Sequence, residues 1–500
     1  MIIEPQDFNE YQQRRYEKIE ALRTEGIEPY PLRVERTHTS REAIEAAQAI
    51  GEEGEEGPEV IVTGRVVAFR KMGKISFLHL EDGAGRIQLY VRRDTIGREN
   101  YNNLFKKMID LGDFIQVRGP MFYTRTKEAT VNVQEWKMLA KAINQPPEKW
   151  HGLTDIEQRY RERYADLLAN EEVRNIFIMR SRITSLVRRY MESQGFIETE
   201  TPILQPLYGG AAARPFVTHH NWAKRDLYLR IADELYLKRL IVGGLERVFE
   251  IGKDFRNEGL SPKHNPEFTM LEAYQAYGDY NDMMELVEGC WSYVCQEIHG
   301  KMLIPHGEHK IDLTPPWSRV TMQDAIIERT GIDIYEANTL DKLQAAISEK
   351  GLKIAPQPTW GKLVDELFSE MVEPILIQPT FITDYPRELS PFAKQKPENR
   401  NVVERFELFI GGMERANAFS ELNDPMEQLA RFKEQQEQFK AGDDEAHQID
   451  EDYVNALMYG MPPTGGIGWG IDRMVMLLLN QHSIREVILF PQLRDEGQEA

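Results

Sequence analysis

One stretch constrains this chain more than any other. Residues 247–280 read RVFEIGKDFRNEGLSPKHNPEFTMLEAYQAYGDY. Aromatic and β-branched character predicts a strand over 247–256 that ends in Arg256. Gly259, Pro262 and Pro266 punctuate a polar loop over 257–267. A second strand follows, with Phe268, Met270, Glu272 and Tyr274 on one face and Thr269, Leu271 and Ala273 on the other. An arginine thus ends one strand where a carboxylate and two aromatic rings leave its partner. That suits a site for a nucleotide and a small cationic molecule.

The chain has 500 residues, enough for two or three domains, and a 41% hydrophobic share that can fill large cores. Two cysteines, Cys290 and Cys295, cannot make a disulfide framework and fit a reducing cytoplasm. No cysteine or histidine cluster supplies a zinc site. The N-terminal residues are charged and lack the apolar core of a signal peptide. No apolar run approaches the ~18 residues of a membrane span. The net charge of −20 argues against indiscriminate nucleic-acid binding. Residues 59–150, however, carry 16 Lys+Arg against 10 Asp+Glu, a net of +6, which leaves −26 on the remainder. A basic module on an acidic body can hold RNA at one place.

In chain order, residues 8–26 predict a helix with Arg14, Arg15, Lys18 and Arg23 on its polar surface. Residues 51–58, GEEGEEGP, form an acidic connector that closes a segment 1–58. Within 59–143, strands are expected at 60–69, 74–81 and 86–91, a helix at 94–109, and strands at 114–121 and 129–138. That is the order of an OB-fold, a small barrel that binds oligonucleotides on one face. Phe69, Phe77 and Tyr90 are strand aromatics that can stack on bases. Residues 144–155, NQPPEKWHGLTD, make a hinge to one large domain over 156–500. That domain opens with a helix at 180–194 and a strand at 196–201 stopped by Pro202. A small-residue loop at 209–216 lets backbone approach a ligand, and helix 232–240 carries acids in its first turn. Residues 283–380 are expected to be a mostly helical insertion. Two strands at 406–422 flank Gly411-Gly412. A two-residue turn there sets Glu414 opposite Phe409, with Glu407 on the same face, so the two could share a divalent cation. Strict alternation separates Asn417 from Glu414, so a bulge between them is needed if both enter one cleft. Residues 464–478 read as a glycine-rich strand, Arg473 and an apolar helix.

Residues 255–258, FRNE, followed by 264–272, HNPEFTMLE, resemble motif 2 of the class II aminoacyl-tRNA synthetases in their bacterial lysyl form. Residues 180–201 are similar to motif 1 and residues 464–478 to motif 3, in the family's order. The resemblance implies an α+β multidomain protein: an N-terminal OB-fold barrel for the anticodon, and a catalytic domain with an antiparallel sheet flanked by helices. It implies a homodimer built through motif 1. It also implies ATP-dependent activation of L-lysine to lysyl-adenylate, transfer of the lysyl group to the 3′ end of tRNA(Lys), and Mg²⁺ as cofactor.

Residue roles follow from the same resemblance. Arg256 bridges the lysine carboxylate and the α-phosphate, and Arg473 holds the γ-phosphate. Phe268 stacks on adenine, while Glu258, His264 and Asn265 surround base and phosphates. Gly468 and Gly470 let the purine lie flat. Glu407 and Glu414 take the metal. Glu234 and the Gly210 carbonyl hold the α-ammonium. Glu272, Glu421 and the Tyr274 hydroxyl hold the ε-ammonium, Phe419 packs on the stem, and Asn417 assists the carboxylate. Phe77, Gln88, Glu135 and Arg70 face the anticodon. Three positions depart from the family pattern: Asp233, Arg415 and Trp469, the last expected to point away from the nucleotide.

Carboxylate and triphosphate repel, so positioning and charge neutralisation suffice without a side-chain nucleophile. An aspartyl- or asparaginyl-type relative would line its pocket with basic residues; here glutamates line it. A relative that lysylates a protein would lack the barrel. A non-catalytic RNA-binding protein on the same scaffold would have lost Arg256, Glu414 or Arg473.

Overall fold

A computed structural model describes residues 4–50, 55–147, 153, 155–440 and 449–494. Residues 51–54 of the expected connector, and 148–152 and 154 of the expected hinge, lie outside the described residues. The chain divides into two compact units, residues 1–154 with 164–169, and residues 155–163 with 170–500. Among the described residues no helix is long and apolar enough to cross a membrane.

In the first unit, Asn9 caps the helix Glu10–Thr24: its side chain accepts from the Gln12 N–H, while the Gln12 side chain accepts from the Asn9 N–H. Arg15 is not on the polar surface as expected. It is buried and donates to the carbonyls of Leu111 and Ala142. Lys18 pairs with Asp110 at 2.7 Å. These two cations fasten the helix to the barrel.

The barrel closes because Glu59–Met72 pairs with both Ile75–Asp82 and Phe114–Tyr123, while Gly85–Arg92 runs parallel to Ala129–Val133. Inward side chains such as Val62, Leu78, Leu89, Val117 and Val131 form its core. The single strand expected at 129–138 is two, Ala129–Val133 and Glu135–Ala140, both paired with Phe114–Tyr123. At the junction a Cβ on Gly119 would stand 2.0 Å from the Asn132 carbonyl oxygen, so only glycine admits the crossing. The helix expected at 94–109 is broken at Gly97, whose φ is +89°.

The second unit is built on an eight-stranded sheet. Its order is Ser318–Thr321, Thr380–Pro386, Val402–Phe409, Glu414–Ser420, Thr464–Gly470, Glu267–Ala276, Arg247–Phe255, Ile197–Glu198. The six inner strands are antiparallel, as expected; both edge strands are parallel to their neighbours. Ser318–Thr321 reaches its neighbour through helices, and Ile197–Glu198 through a small three-stranded sheet and the helix Glu234–Val242; parallel pairing requires such long crossovers. One face packs Leu271, Ala273, Leu408, Ala416 and Ile467 against helices Glu171–Ser193, Tyr280–His299 and Ile471–Leu478. The insertion is less helical than its sequence suggested. A hairpin, Leu303–His306 with His309–Asp312, precedes the edge strand. Helices Met322–Thr330, Leu340–Glu349 and Trp360–Met371 then pack a second core against Ile382, Tyr385, Val403 and Phe409 of the sheet.

Candidate active site

The sheet's other face opens a cavity of roughly 430 Å³. Gly210, Glu234, Arg256, Glu258, His264, Asn265, Phe268, Glu272, Tyr274, Glu414, Asn417, Phe419, Glu421 and Arg473 all line it. Glu407 alone among the expected catalytic-domain residues does not.

Register explains the convergence. Glu272 pairs with Gly468 and Tyr274 with Gly466, so large side chains on one strand face glycines on the next. The space is real. A Cβ on Gly466 would come within 1.9 Å of Glu421 Oε1 and 2.5 Å of the Tyr274 ring. Gly466 is thus the tightest of the three glycines, and sequence reasoning singled out only Gly468 and Gly470. Trp469 points into the core, as alternation required.

Three glutamates make an acidic wall. The Tyr274 hydroxyl donates to Glu272 Oε2 at 3.0 Å and the Asp233 N–H donates to Oε1 at 3.3 Å. Burial, then the charges of Asp254 and Glu234, push the Glu272 carboxyl up to about 8. Glu421 is 1% exposed, and its Oε1 has no hydrogen-bond partner among the described residues. Behind the wall lies a residue that sequence reasoning missed. The buried Lys238 ammonium contacts Glu234 Oε1 at 2.5 Å and also Glu421 Oε2. The i, i+4 spacing of Glu234 and Lys238 was a visible signal for that pair.

Deeper still, Arg230 is 1% exposed and contacts Asp233 at 2.7 Å, Glu250 at 2.5 Å and Asp254 at 3.4 Å. Gly252 makes room for it: a Cβ there would be 1.8 Å from Arg230 Nη2. Burial and the neighbouring acids push Asp233 up to about 10. Asp233 therefore belongs to this network rather than to the cavity surface.

At the nucleotide end, the Arg256 guanidinium stands 5.1 Å from the Phe268 ring centroid, and its buried Nε has no partner among the described residues. Arg473 donates to Glu414 Oε2 at 3.0 Å. Burial, followed by the charge of Arg473, holds the His264 imidazole below its ordinary range, so it is neutral near pH 7. Asn265 is committed to shaping the loop: its amide donates to the Glu267 carbonyl at 2.6 Å and accepts from the Gln492 N–H at 3.2 Å.

Gly411 and Gly412 both have φ of +67°, the conformation of a two-residue hairpin turn. Phe409 pairs with Glu414, and Leu408 with Ala416. Arg415 is the extra residue, so the bulge falls between Glu414 and Asn417 as expected, and both side chains reach the cavity. The Arg415 guanidinium is buried and donates to the Ile410 and Arg473 carbonyls, fixing the turn to the motif 3 helix.

Glu407 sits one layer back. It accepts from Arg405 Nη2 at 2.5 Å and from the Tyr385 hydroxyl at 2.9 Å. Burial raises its carboxyl to about 7, with Arg405 opposing and the charges of Glu414 and Asp365 adding to the rise. Glu414 on the cavity wall and Glu407 one layer back feel each other's charge, and two such hard oxygen donors suit a divalent cation. Among the described residues no group of three or more His, Cys, Asp and Glu forms a complete cage, so such an ion would draw its other ligands from substrate and water. Arg405, unmentioned by sequence reasoning, also lines the cavity and donates to Asn417 Oδ1 at 3.1 Å. That leaves the Asn417 amide NH₂ as the donor.

On the barrel, register puts Arg70 opposite Phe77 and Phe77 opposite Tyr90. Gln88 lies two residues along on the same face, and Glu135 pairs with Arg118 on the neighbouring strand. The Phe77 and Tyr90 rings are 5.0 Å apart. Glu135 and Arg70 are exposed; Gln88 is buried and donates to Thr130 Oγ1 at 2.9 Å.

Residues 155–494 match the family of class II tRNA synthetases (D, K and N), and residues 60–139 match the OB-fold nucleic acid binding domain. The chain is 54% identical over 489 residues to the lysine–tRNA ligase of Roseiflexus sp. (strain RS-1), covering 98% of this chain and 99% of that one. It is 53% identical over 494 residues to the lysine–tRNA ligase of Chloroflexus aurantiacus, covering 99% and 100%. The lysine–tRNA ligase of Pelotomaculum thermopropionicum is 52% identical over 491 residues, covering 98% and 96%.

Proposed function

This chain belongs to the lysine–tRNA ligases among the class II tRNA synthetases, and on that premise we propose how its cavity performs the reaction. It activates L-lysine with ATP to lysyl-adenylate and passes the lysyl group to tRNA. One observation supports the residue assignment above all: Glu234, Glu272 and Glu421 surround the same hollow that Arg256 enters.

The lysine carboxylate attacks the α-phosphorus in line, and pyrophosphate leaves. Arg256 offers a planar fork that spans the carboxylate and the α-phosphate, offsetting the repulsion that otherwise keeps them apart. The Asn417 amide steadies the carboxylate. Arg473 exchanges its bond to Glu414 for the γ-phosphate. Adenine lies between Phe268 and the glycine strand. Glu421 Oε1, Glu272 and the Tyr274 hydroxyl surround the ε-ammonium, with Phe419 against the aliphatic stem, while Glu234 and the Gly210 carbonyl take the α-ammonium. A buried ammonium without partners is costly, so this wall selects lysine. The family's reaction generally needs a metal ion; Glu407 and Glu414 are the residues that would hold Mg²⁺, whose charge would screen the phosphates.

Phe77, Gln88, Glu135 and Arg70 form the anticodon face. Exposed Ile178, Ile197, Leu204 and Val217 around motif 1 support a homodimer. Two unpaired cysteines fit the cytoplasm. ATP–pyrophosphate exchange across the twenty amino acids tests the reading. Exchange with lysine alone is expected, and exchange with aspartate or asparagine in its place refutes it.

A further inference from the structure

The acidic wall has a rear as well as a front. Lys238 is fully buried and is not among the cavity-lining residues. Its ammonium lies 5.7, 5.3 and 5.5 Å from the ring centroids of Tyr274, Phe392 and Phe419, an aromatic box that holds a cation without offering it a polar escape. Its two carboxylate contacts go to different walls of the site. One is Glu234, on its own helix; the other is Glu421, which directly follows the strand Glu414–Ser420. Each glutamate is split. Glu234 gives Oε1 to Lys238 and keeps Oε2 toward Gly210, on the cavity wall. Glu421 gives Oε2 to Lys238 and keeps Oε1, unpartnered, beside Gly466, which also lines the cavity.

We propose that Lys238 is a positioning residue for amino-acid recognition: an internal ammonium that pairs with Glu234 and Glu421, favours their charged form and turns one oxygen of each toward the two ammonium groups of the substrate. The proposal rests on the site reading above and deepens it. Charge makes the argument quantitative. Fully ionised around the bound ligand, three glutamates and one lysine sum to −2, which matches the two ammonium groups of lysine. Without Lys238 the ionised wall would carry three negative charges in a buried space, and a carboxyl besides Glu272 would take up a proton before the ligand arrives. A protonated carboxyl is a poorer partner for an ammonium. Burial opposes the charge on Lys238, and Glu234 and Glu421 more than restore it. Burial, with Glu234 and Glu272 adding to it, holds Glu421 well above the ordinary carboxylate range, and Lys238 is the charge that opposes that rise. Tyr453, close enough to act on both, is a neutral phenol raised by burial.

The test uses the full-length enzyme with Lys238→Met, which keeps the aliphatic stem and drops the charge. ATP–pyrophosphate exchange reads the KM for lysine and for ATP separately. Losing a charge-assisted bond corresponds to roughly a 10- to 100-fold rise in the lysine KM, with the ATP KM little changed. Calorimetry of lysine binding in two buffers of different ionisation enthalpy reads protons released. The variant is expected to release about one more proton than the parent, because the extra carboxyl must ionise to receive the ammonium. A merely structural lysine would raise both KM values and leave the proton count alone, and that result overturns the proposal, as does an unchanged lysine KM. Should Lys238→Met fail to fold, Lys238→Gln keeps a hydrogen-bond donor without the charge and is expected to give the same split and the same extra proton. Glu421→Gln serves as the control for the site itself. If it leaves the lysine KM unchanged, the pocket reading fails; if it raises the lysine KM while the Lys238 variants do not, this inference alone falls.

Discussion

Lysine binding should be pH-dependent through Glu272. Its carboxyl stands at about 8, raised first by burial and then by Asp254 and Glu234, against the opposing bonds from the Asp233 N–H and the Tyr274 hydroxyl. The sign follows directly. Below about 8 the empty pocket carries a neutral acid there, and an entering ammonium needs the carboxylate. Ionising that acid costs about 1.4 kcal/mol per pH unit below its pKa. The ionised fraction rises from roughly 3% at pH 6.5 to roughly 24% at pH 7.5. Affinity for lysine should therefore increase about eightfold over that unit and level off above about pH 8. The ε-ammonium of the ligand keeps its proton throughout, so the slope belongs to the protein. Isothermal titration calorimetry of lysine without ATP avoids the titration of the nucleotide. Glu272→Gln should abolish the slope and weaken binding at pH 8.5 by roughly 10- to 100-fold. A parent enzyme with constant affinity from pH 6.5 to 7.5, or a Gln variant with the same slope, refutes the reasoning.

Other perturbations probe the remaining walls. Gly466→Ala places a Cβ 1.9 Å from Glu421 Oε1, and overpacking of that kind should raise the lysine KM by roughly tenfold or more in pyrophosphate exchange, with the ATP KM nearly intact. Arg256→Lys keeps the charge but loses the planar fork, and should lower exchange by about 100-fold or more. Phe77→Ala should reduce tRNA charging by roughly tenfold or more, since a stacked base is worth about 1–3 kcal/mol, while exchange stays at parental level; equal loss in both assays would contradict a role confined to tRNA. Arg230→Met leaves Asp233, Glu250 and Asp254 buried without their cation. Thermal denaturation should show a loss of about 3–5 kcal/mol. Because Asp254 stands at about 6 and Asp233 at about 10 in the fold, above their unfolded values, protonation favours the folded form. The variant should regain stability as pH falls from 8 to 6; greater stability at pH 8 would reverse the sign.

Much of the site was readable because sheet periodicity is strict. Phe268, Met270, Glu272 and Tyr274 had to share a face once Leu271 and Ala273 were assigned to the core. The Gly411-Gly412 turn fixed the pairing of Phe409 with Glu414, and the clash between that register and Asn417 predicted the bulge that Arg415 fills. What stayed hidden depends on contacts across long separations. Arg405 lies outside the segment that periodicity drew attention to, and its link to Asn417 depends on how two strands pack. The recess of Glu407 behind Arg405 and Tyr385 is set by the strand Thr380–Pro386, which follows the insertion. Gly466 looked like any glycine in a glycine-rich strand until Glu421 stood beside it. Arg15 read as a surface cation because a helical pattern cannot say which exposed-looking positions meet a neighbouring carbonyl.

The acidic pocket also raises a question of physical possibility. Carboxylates gathered in a buried space do not stay ionised unaided; they take up protons until the charge density falls. A wall built of glutamates alone would be largely neutral when lysine arrives, and would bind it poorly. This chain answers with cations in successive layers. Lys238 stands behind Glu234 and Glu421, and Arg230 stands behind Asp233, Glu250 and Asp254. Glu272 has neither cation in contact, and burial with its acidic neighbours raises it to about 8, so an entering ammonium must displace its proton near neutral pH. The arrangement separates two tasks that a single carboxylate cannot perform together. Glu234 and Glu421 have Lys238 beside them to favour their charged form before the ligand arrives, while Glu272 has only the ligand's ammonium to receive its charge. An amino acid of lysine's length without the ε-ammonium would leave Glu421 Oε1 unpaired and gain nothing from Glu272, so the pocket rejects it through unsatisfied charge rather than through shape.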